Sequence, residues 1–228
     1  ALLAKMGNTL HHLTGGRFIL GIGAGWKEDE YRGYGYDYPR AGIRLEELDE
    51  ALHIITKLWR ESGPHTFNGK HYQLLNAYCE PVLPKTPLIV VGGGGKKTMR
   101  LAARYADWWN LSDVNPTQFG ERLAILKQHC DDIGRDFTTL RKTFFGRLVL
   151  GHSMEEARER GEKQGRAHYD GWTLDGAMVG TTADVLEKMQ PFVDMGVDYF
   201  MFEILDIQKP DIKEIFLTEL YPALGQLG

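Results

Sequence analysis

PLIVVGGGGKKTMRLAARYADWWNL, residues 87–111, is the stretch that decides the fold. It opens with Pro87 to Val91, which are apolar without alternation. A run so short and continuous reads as a strand covered on both faces. Gly92, Gly93, Gly94 and Gly95 end it. Residues 97–105 then carry a helical pattern, and 108–111 return to a second short apolar run. Strand, glycine turn, helix and strand make a βαβ unit, and such units build parallel sheets.

The same grammar extends outward in both directions. Upstream, residues 17–23 form a buried strand ending in Gly21-Ile22-Gly23-Ala24-Gly25. An amphipathic helix precedes it, with Leu2, Leu3, Met6, Leu10 and Leu13 at helical spacing and Thr14-Gly15-Gly16 as its stop. A polar, Tyr- and Gly-rich loop is expected over 27–40. Leu45, Leu48, Leu52, Ile55 and Trp59 share one face of the next helix. Glu46, Glu47, Asp49 and Glu50 lie off that stripe, near the N-terminus that the dipole favours for them. An irregular excursion follows over 63–84, with a hairpin turning at Asn68-Gly69. Downstream, strands are expected at 143–150 and 198–205. Helices are expected at 116–133, 154–164, 182–195 (broken or kinked at Pro191) and 212–224. Five buried strands alternating with helices fit either a doubly wound sheet or a barrel. No linker divides the chain, so residues 1–228 are expected to form one domain.

Composition narrows the function classes. The chain has 228 residues, 43% hydrophobic and 25% charged, with a net charge of −4. No basic field exists to attract nucleic acid or anionic lipid. No apolar run approaches the roughly 20 residues of a membrane helix. Cys79 and Cys130 are far apart and form no C-x-x-C pair, which argues against a disulfide framework or zinc site and for a reducing, cytoplasmic setting. No two histidines show metal spacing with a carboxylate, so no metal is expected. His11 and His12, at a helix end, read as surface residues.

Both glycine clusters lie at the C-terminal ends of strands, where parallel α/β folds place their sites. Neither is a standard nucleotide motif. In the first, the last glycine of G-x-G-x-x-G falls on Trp26; in the second, Gly95 is followed by Lys96-Lys97-Thr98 rather than Lys-Ser/Thr. The second still suits an anion, because it feeds straight into a helix N-terminus, with Lys96, Lys97 and the Thr98 hydroxyl at hand. A turn that only packs helix on strand needs fewer than four glycines. Gly23, Ala24 and Gly25 leave no side-chain bulk, so a flat ring could lie against them. The competing reading for these residues is close helix–strand packing.

Residues 15–26, then Glu30-Tyr31 and Tyr34-Gly35, resemble the fourth strand and following loop of the luciferase-like monooxygenases. Residues 44–59 resemble the helix after it, and 90–110 the fifth strand, phosphate loop and sixth strand. Val179-Gly180-Thr181 with Gly196-Val197-Asp198 resembles the approach to the eighth strand. The resemblance implies a TIM (β/α)8 barrel represented by strands four to eight. It also implies a chain lacking the N-terminal part, consistent with an opening Ala1 that reads as mid-helix, and a homodimer when full length. It implies an oxidoreductase acting on a small-molecule substrate with coenzyme F420 (a deazaflavin) or FMN. The luciferase branch holds the FMN phosphate with an Arg in the loop where this chain has Gly23-Ala24-Gly25, so the resemblance favours F420. Hydride transfer with F420 is the leading expectation. An FMN-dependent monooxygenase using O2, and a non-catalytic incomplete barrel, are the alternatives. The family's acid or base belongs to the part not represented, so no catalytic residue transfers. Trp26, Asn110 and Glu203 are the candidate substrate contacts. Glu203, a carboxylate near the end of an apolar strand, must face solvent, a site or an ion pair. Trp108 and Trp109 read as core.

Overall fold

The computed structural model describes residues 1–82, 84–168 and 174–227. They form two compact units, residues 1–109 with 126–140 and residues 110–125 with 141 onward. The first contains α1 (Leu2–Leu13), β1 (Ile19–Ile22), α2 (Glu28–Gly33), α3 (Ala41–Arg60), β2 (His65–Asn68), β3 (Gln73–Ala77), β4 (Leu88–Gly92) and α4 (Lys96–Tyr105). β5 (Trp108–Ser112) starts in it. The strand order here is β1-β4-β5, and β1 and β4 are parallel. β2 and β3 make the expected antiparallel hairpin. The loop expected over 27–40 contains a short helix, α2. Its three acidic residues in the first turn, Glu28, Asp29 and Glu30, suit a helix start.

Two expectations for this unit fail, the covering of both strand faces and the surface placement of His11. The continuous apolar runs predicted strands covered on both faces. In β1 and β4 burial alternates instead: Leu20, Ile89 and Val91 are buried, while Ile19 is exposed and Val90 half-buried. The amphipathic stripe of α1 faces outward, with Leu2 75% and Leu13 74% exposed. Its buried face is Ala4, Gly7, Asn8 and His11. Small size explains the inversion. A Cβ on Gly7 would stand 2.7 Å from the Trp59 ring, and that indole donates to the Ala4 carbonyl at 2.8 Å. Asn8 donates to the Pro81 carbonyl at 3.0 Å, and the His11 Nδ1 lies 3.2 Å from the Phe18 carbonyl. His11 is therefore a packed core residue, not a surface one.

The second unit holds the end of β5, β6 (Arg141–Leu150), α6 (Met154–His168), β7 (Met178–Gly180), α7 (Thr182–Asp194) and β8 (Val197–Ile204). A closing helix runs from Pro210–Glu214 (α8) through a wide π segment, Ile215–Leu220, to Tyr221–Leu224 (α9). α5 (Pro116–Asp132) begins in this unit. β6 pairs in parallel with β7 at Leu148 to Leu150 and with β8 at Lys142 to Leu148. All five predicted strands are present. The three-residue β7 was not predicted, because it is too short to show a pattern. α7 continues through Pro191 rather than breaking there. Both cysteines are buried. No described helix is long and apolar enough to cross a membrane.

Candidate functional site

In the first unit, two parallel neighbours end side by side. Ile22 pairs with Val91, so the chain leaves β1 at Gly23 beside the point where it leaves β4 at Gly92. A Cβ on Gly23 would lie 3.5 Å from the Gly92 carbonyl oxygen. The two glycine clusters are thus brought together, as the parallel-sheet reading expected. A Cβ on Gly92 would meet no protein atom within 4 Å, so that face of the strand end is open.

Each member of the second cluster has a distinct setting. Gly93 adopts φ +129°, and a Cβ there would press to 3.3 Å from the Thr98 methyl. Its carbonyl accepts the Trp109 indole N–H at 3.0 Å, which fixes the turn to the core. Gly94 is half-buried and Gly95 exposed. Gly95 is the N-cap of α4, and no side chain caps that helix start. The first N–H groups of α4 are therefore left for water or an anion. Thr98 Oγ1 lies 3.6 Å from where a Gly95 Cβ would stand. Lys96 and Lys97 are exposed. Lys97 also borders a cavity of about 270 Å³ that Glu46 and Asp49 of α3 line too.

The first cluster behaves differently. Gly25 has φ +70°, and a Cβ there would collide with Tyr31, 2.3 Å from its hydroxyl. Glycine is needed at 25 to admit that ring, so this face is not open for a ligand. The Ala24 carbonyl accepts from the Tyr31 hydroxyl at 3.3 Å and from Arg44 Nε at 3.2 Å. The Trp26 carbonyl accepts from the Tyr38 hydroxyl at 2.7 Å, while the indole itself is 81% exposed.

Asn110 and Glu203 lie in the second unit. Thr143 donates to Asn110 Oδ1 at 2.9 Å. Arg147, opposite Glu203 in the β6–β8 register, reaches its carboxylate at 3.7 Å and Asp113 at 3.1 Å. Glu203 thus satisfies its charge by an ion pair. Burial pushes the Asp113 carboxyl up; Arg147 opposes this and Glu203 adds to it. On the other face of β6, Phe144 packs 4.6 Å from the Phe192 ring of α7. Strand alternation therefore puts Thr143 and Arg147 on the face away from that helix. Arg147, Asp113 and Thr143 went unnoticed in the sequence. The signal for Arg147 was present: a charge inside an apolar strand, the rule that singled out Glu203.

Phthiodiolone/phenolphthiodiolone dimycocerosates ketoreductases are similar to this chain, at 36% identity over 164 residues for Mycobacterium sp. (strain JLS) and 31% over 163 for Mycobacterium tuberculosis (strain ATCC 25618 / H37Rv). In both cases 70% of this chain aligns, to only 42% of the ketoreductase, so the chain spans well under two thirds of these relatives. A pyrimidine monooxygenase of Stutzerimonas stutzeri (strain A1501) is 28% identical over 61% of this chain and 40% of its own. Among solved structures, an F420-dependent secondary alcohol dehydrogenase superposes with TM-score 0.83 at 18% identity, over 98% of this chain and 74% of its own. A long-chain alkane monooxygenase superposes at 0.76 with 19% identity, over 98% and 65%. These likenesses give the fold, an α/β fold with parallel strands close to that of luciferase-like enzymes. The description "luciferase-like monooxygenase" matches residues 1–175, and the chain belongs to that family.

Proposed function

We propose that this chain forms part of an oxidoreductase that moves a hydride between coenzyme F420 and an organic substrate. The observation that carries the reading is the open strand end at Gly92, beside Gly23 and ahead of the uncapped start of α4. The backbone of Gly92 to Gly95, the first N–H groups of α4 and the Thr98 hydroxyl would hold the cofactor phosphate. Lys96 and Lys97 would add positive charge at the rim. The absence of an Arg in Gly23-Ala24-Gly25 favours a deazaflavin over FMN. The bound deazaflavin would supply the carbon that exchanges hydride. This chain's residues contribute grip, orientation and exclusion of water. In the second unit, Asn110 is the polar side chain at a strand end that we put forward as a substrate contact.

Gly92→Val tests the reading directly. The added side chain enters open space, so the thermal midpoint should stay at the parent value while cofactor binding is lost. Binding of F420 and FMN is read by fluorescence titration, which also decides between the two. Lys97→Ala should weaken binding only about threefold, as an exposed charge does. If Gly92→Val binds as tightly as the parent, the glycine turn is only a helix–strand joint and the site lies elsewhere.

A further inference from the structure

Trp26 departs from the tryptophans of the core. Trp109 is fully buried and Trp59 nearly so, each donating its indole N–H to a backbone carbonyl. Trp26 is 81% exposed, three residues beyond the strand end that touches Gly92. Leaving so large an apolar surface in water forgoes stabilisation that a loop free to move would recover by folding over.

Side chains tie down the backbone of this loop. Arg44, from α3, donates to the Ala24 carbonyl at 3.2 Å and to the Pro39 carbonyl, and its guanidinium lies 4.1 Å over the Tyr38 ring. Tyr38 in turn donates to the Trp26 carbonyl at 2.7 Å and meets Tyr31 edge-to-face at 5.1 Å. Tyr31 donates to the Ala24 carbonyl and occupies the space that Gly25 vacates. Backbone carbonyls 24 and 26 are thus tied on either side of a residue at φ +70°.

We propose that Trp26 is a preformed stacking platform for a flat conjugated ring of the flavin or deazaflavin class, and that Arg44 is the positioning residue that holds it. Fixing the backbone at Trp26 in advance lowers the ordering cost that a wholly flexible loop pays on binding, and an indole face accepts any extended π-system. The assignment rests on the proposed function above and adds a contact to the ring that the phosphate loop cannot make.

The test uses the whole chain and three ligands: F420, FMN and lumiflavin, the last a ring with no phosphate. Trp26→Leu should raise the dissociation constant about tenfold for the ring that binds. Trp26→Phe should lose about threefold, as a smaller face allows. Arg44→Met should weaken binding and also lower the ligand-free anisotropy of the Trp26 emission, isolated by subtracting the signal of Trp26→Leu in the same background, a change that loss of a purely structural arginine elsewhere on α3 would not produce. Gly92→Val should spare lumiflavin while Trp26→Leu impairs it. Trp26 is exposed, so its variants should keep the parent circular dichroism. If Trp26→Leu binds all ligands as the parent does, the platform is refuted and the phosphate loop stands. If the parent binds none of the three, the proposed function falls and the platform with it. Unchanged anisotropy in Arg44→Met refutes the positioning role alone.

Discussion

The Glu50 carboxylate closes the tip of the β2–β3 hairpin from outside it. It accepts the backbone N–H of Lys70 at 2.7 Å and of His71 and Tyr72 at 2.9 Å each. Partial desolvation works to raise its pKa, but those three amides hold it below the usual carboxylate value. One turn earlier on α3, hydrogen bonds from Lys70 and His71 bring Glu46 down to about 2. Carboxylates depressed in the folded state stabilise it above their unfolded pKa and lose that contribution as pH falls through the folded one. The hairpin should therefore stay docked at pH 5 and loosen progressively toward pH 2, seen as faster exchange of the Lys70, His71 and Tyr72 amides. Glu50→Gln should bring the same loosening at neutral pH. Exchange rates that match the parent in Glu50→Gln would show that the turn holds itself. The position of Glu46 and Glu50 off the apolar stripe was legible in the sequence. Their partners were not, because nothing local ties a helix position to a hairpin that follows it.

Among elements, α6 is fastened to the segment after β8 by one side chain. Arg160 is only 10% exposed and reaches Glu156 at 2.8 Å, Asp211 at 3.1 Å and Asp206 at 3.5 Å. Asp206 sits at φ +60° and also holds Lys209 at 2.7 Å. The Nε of Arg160 is buried without a hydrogen-bond partner among the described residues. Removing a buried arginine strands its carboxylates, so Arg160→Met should cost about 3 kcal/mol in urea unfolding. Adding Asp206→Asn to it should restore part of the loss, since the two residues share one network. Full additivity would break the network account. Long, strongly patterned elements such as α3 were readable because leucine spacing alone fixes a helix face. The Arg160 network was not, since it depends on where a loop after one strand meets a helix after another.

At the scale of the whole molecule, α1 leaves a leucine and methionine stripe in water. Contiguous exposed apolar surface drives association. The chain should sediment with concentration-dependent mass, and Leu3→Lys with Leu10→Lys should restore a single monomeric species without changing circular dichroism. Monomeric sedimentation of the parent at high concentration would refute this. Periodicity revealed the stripe but not its direction. Gly7, Asn8 and His11 set that, through Trp59, Pro81 and Phe18, and only Trp59 was recognisable beforehand as a packing residue. The family was legible because its glycine clusters sit at strand ends. The parallel pairing that unites them follows from the βαβ grammar, whereas the filling of the Gly25 face by Tyr31 does not.

The register of β1 against β4 has a consequence in time. Gly23 and Gly92 become neighbours only after the chain has threaded α2, α3 and the β2–β3 hairpin between them. Closing so long an excursion is slow compared with forming a helix. The pairing of the two strand ends should therefore form late, after the helices around it. A ribosome must release the whole of α4 before the proposed anion site can exist. A chain arrested before that point carries both glycine clusters without the helix start that the proposed site needs.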